Sequence, residues 1–402
     1  MLIADRSSGQ WEENIEIHGG NRSVFIKMPD SITITDAEEQ HTTEMTPLAM
    51  GWARSEDKLG FSYAIRHFLD CVKEDRVPLT NAVDAYKTHE LLDRILRSAG
   101  LSRDGIEVKR HMKIAGHTMG TPEYPVNEAI ELFHRIGADG AEIVVQDGYC
   151  SGIPCDCDEK SLSIVKRCAE ENEIEISCLT PYNSYFNSLD KEVRQAEIES
   201  IRKVIDYCQY LNAHYIRIYG GNLLAGDTQN LEEREKLIES LRYLGNLAAQ
   251  KDVVLIVENH FNTMAVSAKD SAALIRDIDH PAVRILYDQA NLTFTGNEGY
   301  EEAISLQQQY VSYMHVKDLV FLEGKDFVSS DVSHPDESER NVRTRIVGEG
   351  ILEWPAILKS VKAHGYDGWL SLEYERRWHP DDIPDASIGM KKSIDYLKSI
   401  LF

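Results

Sequence analysis

The sequence predicts an α/β fold in which a closed (β/α)8 barrel, the TIM barrel architecture, follows a smaller α+β domain. The length of 402 residues suits two domains rather than one. From Met112 onward, eight apolar strand-like segments alternate with amphipathic helical segments over about 290 residues. The first hundred residues lack this alternation. A doubly wound sheet is the alternative, but eight regular units without a glycine-rich first turn favour the barrel.

Residues 1–105 are predicted to form the smaller domain. The stretch NIEIHGGNRSVFIKM alternates like an antiparallel hairpin around Gly19 and Gly20. Two helical patterns follow, in GFSYAIRHFLDCVKE and in NAVDAYKTHELLDRILRSAG, and the second ends at Gly100. LSRDGIEVKRH is then the predicted linker to the barrel, which we place at residues 112–402.

Eight short apolar runs are the predicted barrel strands, and polar or turn-forming residues bound each of them. In chain order they are MKIAGHTMG, GAEIVVQ, EIEISCLT, HYIRIYGG, VVLIVENH, VRILYDQAN, YVSYMHVKD and DGWLSLEYE. The segment between the seventh and eighth strands is long and contains the charged stretch SSDVSHPDESERNVRTR. We therefore expect an excursion over one face of the barrel.

The composition excludes several classes of partner. With 43 basic and 67 acidic residues the net charge is −24, which would repel a phosphate backbone and disfavours nucleic acid. No apolar run approaches the ~18 residues of a membrane span, and the start resembles no signal peptide. Seven cysteines, an odd number, predict reduced thiols and a cytoplasmic location. The spacing of Cys150, Cys155 and Cys157 matches no standard zinc site, which favours a loop with free thiols.

Four predicted strands end in good metal ligands: Glu258, Asp288, His315 and Glu373, on strands five to eight. Functional groups of a (β/α)8 barrel gather at the carboxyl ends of its strands, and consecutive strands are neighbours. Three carboxylates and one imidazole suit one divalent ion, with Mn²⁺ preferred and Mg²⁺, Co²⁺ or Zn²⁺ as alternatives. Taken singly, each carboxylate is more often a helix cap or a salt-bridge partner, and a lone histidine is more often a core residue. Four such residues at the same level of one barrel predict a metal site.

The second half of the chain resembles the xylose-isomerase-like barrel family of sugar isomerases and epimerases. The matching motifs are VENH, LYDQAN, HVKD and VGEGILEWPAILKSVKAHGYDGWLSLEYE. The resemblance implies the same four metal ligands. The family also includes nucleases that use three zinc ions and carry a histidine where this chain has Asn291. That difference and the acidic charge argue against nuclease activity.

The first hundred residues resemble the carboxyl-terminal part of a glucose–fructose oxidoreductase-type (Gfo/Idh/MocA) dehydrogenase, through FSYAIRHFLDCVKEDRVPLTNAVDAYKTHELLDRILRSAG. The nucleotide-binding half of such enzymes is missing, and no GxGxxG occurs in the chain. We therefore expect no NAD binding. The domain resembles a remnant that serves for dimerisation into a homo-oligomer, for covering the barrel, or for docking a separate dehydrogenase.

The expected chemistry is proton transfer next to the carbonyl of a small sugar or keto-sugar. Resemblance to the family's epimerases implies that Glu258 and Glu373 are both ligands and proton-transfer groups. His260 lies two residues beyond Glu258, so alternation points it to the same side. There it would protonate a leaving group, or it hydrogen-bonds a loop or a ligand carboxylate. The sequence thus leaves open an isomerase or epimerase, a lyase or dehydratase of keto-sugars or 3-keto-glycosides, and a non-catalytic partner of a dehydrogenase.

Six further residues are substrate-binding candidates, although a purely structural role is preferred for each. They are His117, Tyr219, Lys317, Asp318, Arg343 and Arg345. His117 and Tyr219 end predicted strands one and four. The next two belong to HVKD, and the arginines lie in the predicted excursion.

Overall fold

The computed structural model describes residues 13–19, 22–28, 31–36, 40–44, 61–74, 76–77, 112–223, 230–325 and 340–401. The chain divides into two compact units, Met1–Lys109 and Arg110–Phe402. None of the helices in the described ranges is long and apolar enough to cross a membrane.

The first unit contains a four-stranded antiparallel sheet in the order β1-β2-β3-β4. The strands are β1 (Glu13–Gly19), β2 (Arg22–Met28), β3 (Ser31–Thr35) and β4 (Gln40–Glu44), and helix α1 follows at Phe61–Lys73. The predicted hairpin is confirmed, because β1 pairs with β2 in antiparallel register and Gly19 lies opposite Arg22. Strands β3 and β4 are short and polar and were not predicted. The predicted helix at 81–100 and the predicted linker at 101–111 lie outside the described residues.

The second unit contains a closed barrel of eight parallel strands, which confirms the predicted architecture. The strands are β5 (Lys113–His117), β6 (Gly140–Val145), β7 (Glu175–Pro181), β8 (Tyr215–Ile218), β9 (Val254–Glu258), β10 (Val283–Asp288), β11 (Val311–Val316) and β14 (Trp369–Leu372). Neighbours follow chain order, and β14 pairs with β5 to close the circle. These strands read as nearly continuous apolar runs because both faces of a parallel sheet are covered.

Helices surround this barrel. Those in the described ranges are α2 (Val126–Ile136), α3 (Glu159–Glu171), α4 (Lys191–Leu211), α5 (Leu231–Ala249), α6 (Ala268–Ile278), α7 (Gln289–Gly296), α8 (Tyr300–Gln307), α9 (Trp354–Ala363) and α10 (Ala386–Leu401). The short α7 was not predicted; it begins where the Asp288 side chain accepts a hydrogen bond from the Asn291 N–H. The excursion after strand seven contains an antiparallel pair, β12 (Asp318–Phe321) with β13 (Val342–Arg345), and its residues 326–339 lie outside the described part.

Inward-facing side chains stack in layers along the barrel axis. One layer is an apolar cluster of Ala115, Cys178, Ile256, Leu286, Tyr313 and Trp369. Side chains alternate between the two faces of a strand, so the residue two positions further on points the same way. Ile256 is thereby followed by Glu258, Leu286 by Asp288 and Tyr313 by His315. The apolar layer closes the barrel below and places these polar residues above it.

Candidate active site

Four side chains meet at the carboxyl-terminal end of the barrel: Glu258, Asp288, His315 and Glu373. Each offers one ligand atom, and these atoms all lie within 4.8 Å of one another. Nδ1 of His315 lies 3.3 Å from Oε1 of Glu258, 3.4 Å from Oε2 of Glu373 and 3.9 Å from Oδ2 of Asp288. All four residues are buried. The structure therefore brings the four predicted ligands together.

Strand register explains the convergence. Asp288 lies opposite His315 across β10 and β11, and Glu258 lies opposite Leu286 across β9 and β10. Glu373 follows β14 directly. The four side chains thus come from consecutive strands over half of the barrel, and they approach one point from different sides.

The chemistry of this cluster fits a divalent cation. Oε2 of Glu258, Oδ2 of Asp288 and Nδ1 of His315 form no well-aligned hydrogen bond within the described ranges, although each has an ion-pair partner 3.1–3.4 Å away. The hydrogen-bonding capacity of these buried atoms is therefore only partly used, which is costly for charged groups. A cation would pair with all three atoms. Carboxylate oxygens combined with an imidazole suit Mn²⁺, Mg²⁺ and Zn²⁺.

The pKa shifts show the electrostatic cost of the cluster. Burial raises the pKa of Asp288 to about 7. The charges of Glu373 and Glu258 add to this rise, and those of Lys317 and His315 oppose it. Burial would lower the pKa of His315, but the neighbouring carboxylates outweigh it and hold this pKa well above the ordinary value. Concentrated negative charge is thus balanced by nearby cations, and a bound metal ion would act in the same direction.

Lys317 is one of these balancing cations. Its Nζ lies 2.6 Å from Oε2 of Glu373, 3.1 Å from Oδ2 of Asp288 and 3.1 Å from Oε1 of Glu375. It also lines the adjacent cavity. The ammonium group is therefore placed to neutralise the cluster and to meet a substrate oxygen from the same side.

A cavity of about 420 Å³ opens beside the cluster, which is an ordinary size for a small-molecule site. Its polar lining includes Arg217, His260, Lys317 and Glu373. Aromatic rings make up much of the rest; they are Tyr149, Tyr182, Tyr219, Phe261, Phe294 and Trp378. The predicted substrate-binding residues Tyr219 and Lys317 therefore face this cavity.

His260 also faces the cavity. Its Nδ1 lies 2.8 Å from the Phe261 carbonyl, and its ring centroid lies 4.7 Å from that of Tyr219. A carbonyl only accepts hydrogen bonds, so Nδ1 carries the proton and Nε2 of the neutral ring is an acceptor. Burial lowers the pKa of His260, although the Glu258 charge opposes this shift. The imidazole must therefore take up a proton before it delivers one.

Two charged residues of the site, Glu142 and Arg217, were not among the predicted ones. Both are almost completely buried. Glu142 is the only charged residue of the apolar strand GAEIVV, and Arg217 is the only charged residue of YIRI. A buried charge is retained only when it is paired, so an isolated charge within an apolar strand was the available indication.

Arg217 extends from β8 towards Glu258. Its guanidinium carbon lies 4.2 Å from the ring centroid of Tyr219 and 4.9 Å from that of Tyr182. Its Nε lies 3.4 Å from Oε2 of Glu258, and Nε and Nη1 have no hydrogen-bond partner among the residues described. The two rings fix the plane of the guanidinium group, which presents a permanent positive charge beside the cluster.

Glu142 lies on the other side of His315. Both of its carboxylate oxygens lie 3.2 Å from Nε2 of His315, and Oε1 accepts a hydrogen bond of 2.5 Å from Oγ1 of Thr180. His117, a predicted substrate-binding residue, points its Nε2 at the same carboxylate, 3.5 Å away. Its Nδ1 accepts the Met119 N–H. His117 therefore supports this buried network and is not part of the cavity lining.

Asp318 is engaged by the backbone. Its carboxylate accepts hydrogen bonds from the N–H groups of Leu319, Gly348, Gly350 and Leu352. Gly348 has a φ of +91°, and a Cβ on Gly350 would lie 2.0 Å from Oδ1 of Asp318. These contacts explain the two glycines of VGEG. Asp318 orders this loop and also lines the cavity, so its substrate contact stays a prediction.

Arg343 and Arg345, two further predicted substrate-binding residues, lie on β13. Val342 and Thr344 line the cavity, and the arginines between and after them point away from it. Nε of Arg343 lies 3.8 Å from Oδ1 of Asp382, and the side chain is half exposed. Arg345 donates a hydrogen bond to the Thr344 carbonyl. Neither guanidinium group belongs to the cavity.

Asn291 lies three residues after Asp288. This is the position at which the resemblance to the zinc nucleases would imply a histidine. Nδ2 of Asn291 donates to the Asn259 carbonyl at 2.9 Å and to Oε1 of Glu258 at 3.3 Å. It therefore supports a ligand carboxylate. All seven cysteines, which lie in the described ranges, are free thiols, and none belongs to a group of ligands spaced for a metal there.

Comparisons with known proteins agree with the barrel fold. The family model described as "Xylose isomerase-like TIM barrel" matches residues 130–400. The inosose dehydratase of Geobacillus thermodenitrificans is 26% identical over 145 residues, which are 36% of this chain and 48% of that protein. The chain thus spans about half the length of this relative.

Two solved structures share the fold. The 3-keto-D-glucoside 4-epimerase of E. coli has a TM-score of 0.55 at 17% identity, over 72% of this chain and 99% of that one. A xylose isomerase-like TIM barrel protein from Mycobacterium smegmatis, solved in complex with magnesium, has a TM-score of 0.55 at 16% identity, over 72% of this chain and 96% of that one. At such identities the likeness establishes the barrel fold.

Proposed function

The chain belongs to the xylose isomerase-like TIM barrel family, and from this premise we propose that it is a divalent-metal-dependent isomerase or epimerase. The proposed reaction transfers a proton at the carbon next to a sugar carbonyl. One observation carries the proposal: four buried ligand atoms from Glu258, Asp288, His315 and Glu373 lie within 4.8 Å of one another beside a cavity of small-molecule size.

The proposed cofactor is one divalent ion, held by these four residues. Mn²⁺ is preferred because it accepts both carboxylate and imidazole ligands, and Mg²⁺, Co²⁺ and Zn²⁺ are the alternatives. When bound, such an ion polarises a carbonyl oxygen and stabilises negative charge on it. The barrel protein from Mycobacterium smegmatis, which was solved in complex with magnesium, supports a divalent ion in this fold.

Glu258 and Glu373 are the proposed proton-transfer groups. They extend from β9 and from the end of β14, so their carboxylates reach the cluster from different sides. Removal of a proton by one carboxylate and its return by the other inverts a stereocentre, whereas return to the adjacent carbon isomerises an aldose to a ketose. Arg217 and Lys317 present N–H donors from the cavity wall, where they would hold the substrate oxygens.

A lyase or dehydratase of keto-sugars or 3-keto-glycosides is the second candidate. The curated relative with 26% identity is an inosose dehydratase, which favours elimination. His260 faces the cavity with Nε2 as its acceptor atom. After taking up a proton from solvent on Nε2, it would donate that proton to the leaving oxygen, while a carboxylate holds the proton removed from the carbon. The same four ligands and the same first deprotonation serve both candidates.

The first unit remains a proposed remnant of a Gfo/Idh/MocA-type dehydrogenase without nicotinamide binding. Its proposed role is to form a homo-oligomer or to dock a separate dehydrogenase that supplies a keto-sugar. A purely non-catalytic role for the whole chain is the third candidate, and the intact ligand set argues against it. A cytoplasmic location is proposed from the free thiols.

Proton exchange in D₂O tests the proposed function. The full chain is incubated with Mn²⁺ and a panel of ketoses and 3-keto-glycosides, and deuterium uptake next to the carbonyl is followed by NMR. Uptake should require the metal and should vanish on chelation and in an Asp288→Asn variant. Elimination products on the same panel would identify the lyase. A metal-loaded protein that exchanges no proton of any panel member would overturn both enzyme candidates.

A further inference from the structure

We propose that Glu142 is a positioning residue that fixes the tautomer and the orientation of His315, so that Nδ1 faces the three ligand carboxylates. This inference rests on the metal site of the proposed function. It concerns a residue outside the four-ligand set, on β6 at the opposite side of the imidazole. Glu142 would therefore act on the metal only through His315.

The contact between the two residues is direct and buried. Nε2 of His315 lies 3.2 Å from Oε1 and 3.2 Å from Oε2 of Glu142, and both residues are fully buried. A carboxylate offers only acceptors, so Nε2 must carry a proton. When the ring gives up its other proton to bind a metal ion, the lone pair lies on Nδ1, which is the atom that faces Glu258, Glu373 and Asp288.

Glu142 is itself held in place. Oγ1 of Thr180 donates to Oε1, and Nε2 of His117 lies 3.5 Å from the same oxygen. Thr180 and His117 come from β7 and β5, the two strands that flank β6. The carboxylate is therefore fixed from both neighbouring strands. It belongs neither to a described ligand group nor to the cavity lining, which separates positioning from coordination.

The consequence for metal binding follows from the tautomer. A histidine ligand is oriented by the acceptor that its other ring nitrogen meets, and loss of such a partner typically weakens metal affinity about 10–100-fold. Glutamine in place of Glu142 preserves shape but removes the charge. Its amide can also donate to Nε2, which would place the imidazole proton on Nδ1 and block the ligand atom.

The test compares Glu142→Gln with the wild-type full chain by calorimetric titration with Mn²⁺ in the absence of substrate. Glu170→Gln, an exposed change on α3, is the matched control. We expect Mn²⁺ affinity to fall about 10–100-fold in Glu142→Gln and to stay unchanged in the control. The visible spectrum of the Co²⁺-loaded protein should change only in the Glu142 variant, because the orientation of a nitrogen ligand changes.

A second variant separates positioning from general destabilisation. Glu142→Asp keeps the charge but shortens the side chain, so it should also lose Mn²⁺ affinity even when its thermal unfolding is close to that of the wild type. Wild-type Mn²⁺ affinity and an unchanged Co²⁺ spectrum in both variants would overturn the inference and leave the proposed function intact. Failure of the wild type itself to bind any divalent ion would instead overturn the proposed metal site, and this inference with it.

Discussion

Nζ of Lys317 lies 2.6 Å from Oε2 of Glu373, and the two side chains form a buried ion pair at the edge of the ligand cluster. Glu373 is at once a proposed ligand and a proposed proton-transfer group. Burial would raise the pKa of Glu373, but the charges of Lys317 and His315 hold this pKa well below the ordinary value. Without a metal ion, Lys317, His315 and Arg217 are the cations beside the three buried carboxylates.

The first prediction is that Lys317→Met makes the stability of the fold depend on the metal. Breaking a buried ion pair on one side typically costs about 3–5 kcal/mol, because the remaining charge loses its partner. In the presence of Mn²⁺ the bound cation replaces the lost charge, so the loss should be smaller. Urea unfolding is measured with EDTA and with Mn²⁺, and Lys359→Met on exposed surface is the control. An equal loss of unfolding free energy with EDTA and with Mn²⁺ would contradict the idea that Lys317 and the metal ion balance the same carboxylates.

The second prediction is that His315→Ala and Asp288→Asn release the metal while the barrel stays folded. Asparagine is chosen because it can still cap α7 through Asn291, as Asp288 does. Metal content after gel filtration is measured by elemental analysis, and folding by circular dichroism. His134→Ala and Asp381→Asn, at exposed positions, should keep full occupancy. Full occupancy in both site variants would remove the ligand assignment.

The third prediction uses His260→Gln to separate the two enzyme candidates. An epimerase needs only the two carboxylates, so its turnover should fall modestly. In a lyase a general acid contributes about 10²–10⁴-fold, so elimination should collapse while deuterium uptake next to the carbonyl continues. Both rates are measured on one substrate, with His134→Gln as the control. If both rates collapse together, His260 orders the metal site instead; if neither changes, the histidine has no part in proton delivery.

The fourth prediction is that the chain binds no nicotinamide cofactor, because the phosphate-binding turn of a dinucleotide domain is missing from the sequence. Calorimetric titration of the full chain with NAD and with NADP should give no heat of binding. An intact dehydrogenase titrated under the same conditions is the positive control. Micromolar affinity for either nucleotide would contradict the proposal that the first unit is a remnant.

Much of the barrel was predictable because its strands are apolar on both faces and its helices are amphipathic. The predicted strand VVLIVENH contains the observed strand Val254–Glu258. The short α7 was not predicted because its eight residues lack an amphipathic pattern, and a side-chain cap from Asp288 determines where it begins.

The sequence by itself determined the barrel and the four residues that end neighbouring strands, because strand order and alternation follow from local patterns. Only the tertiary structure decided what surrounds them. It placed Glu142 against His315 and Arg217 beside Glu258, held the Asp318 carboxylate in a glycine loop at the cavity, and left Arg343 and Arg345 outside the cavity lining. Those outcomes depend on distances between strands and loops that are far apart in the chain, such as the 173 positions that separate Glu142 from His315. A local pattern contains no such distance, because it arises only when the barrel closes.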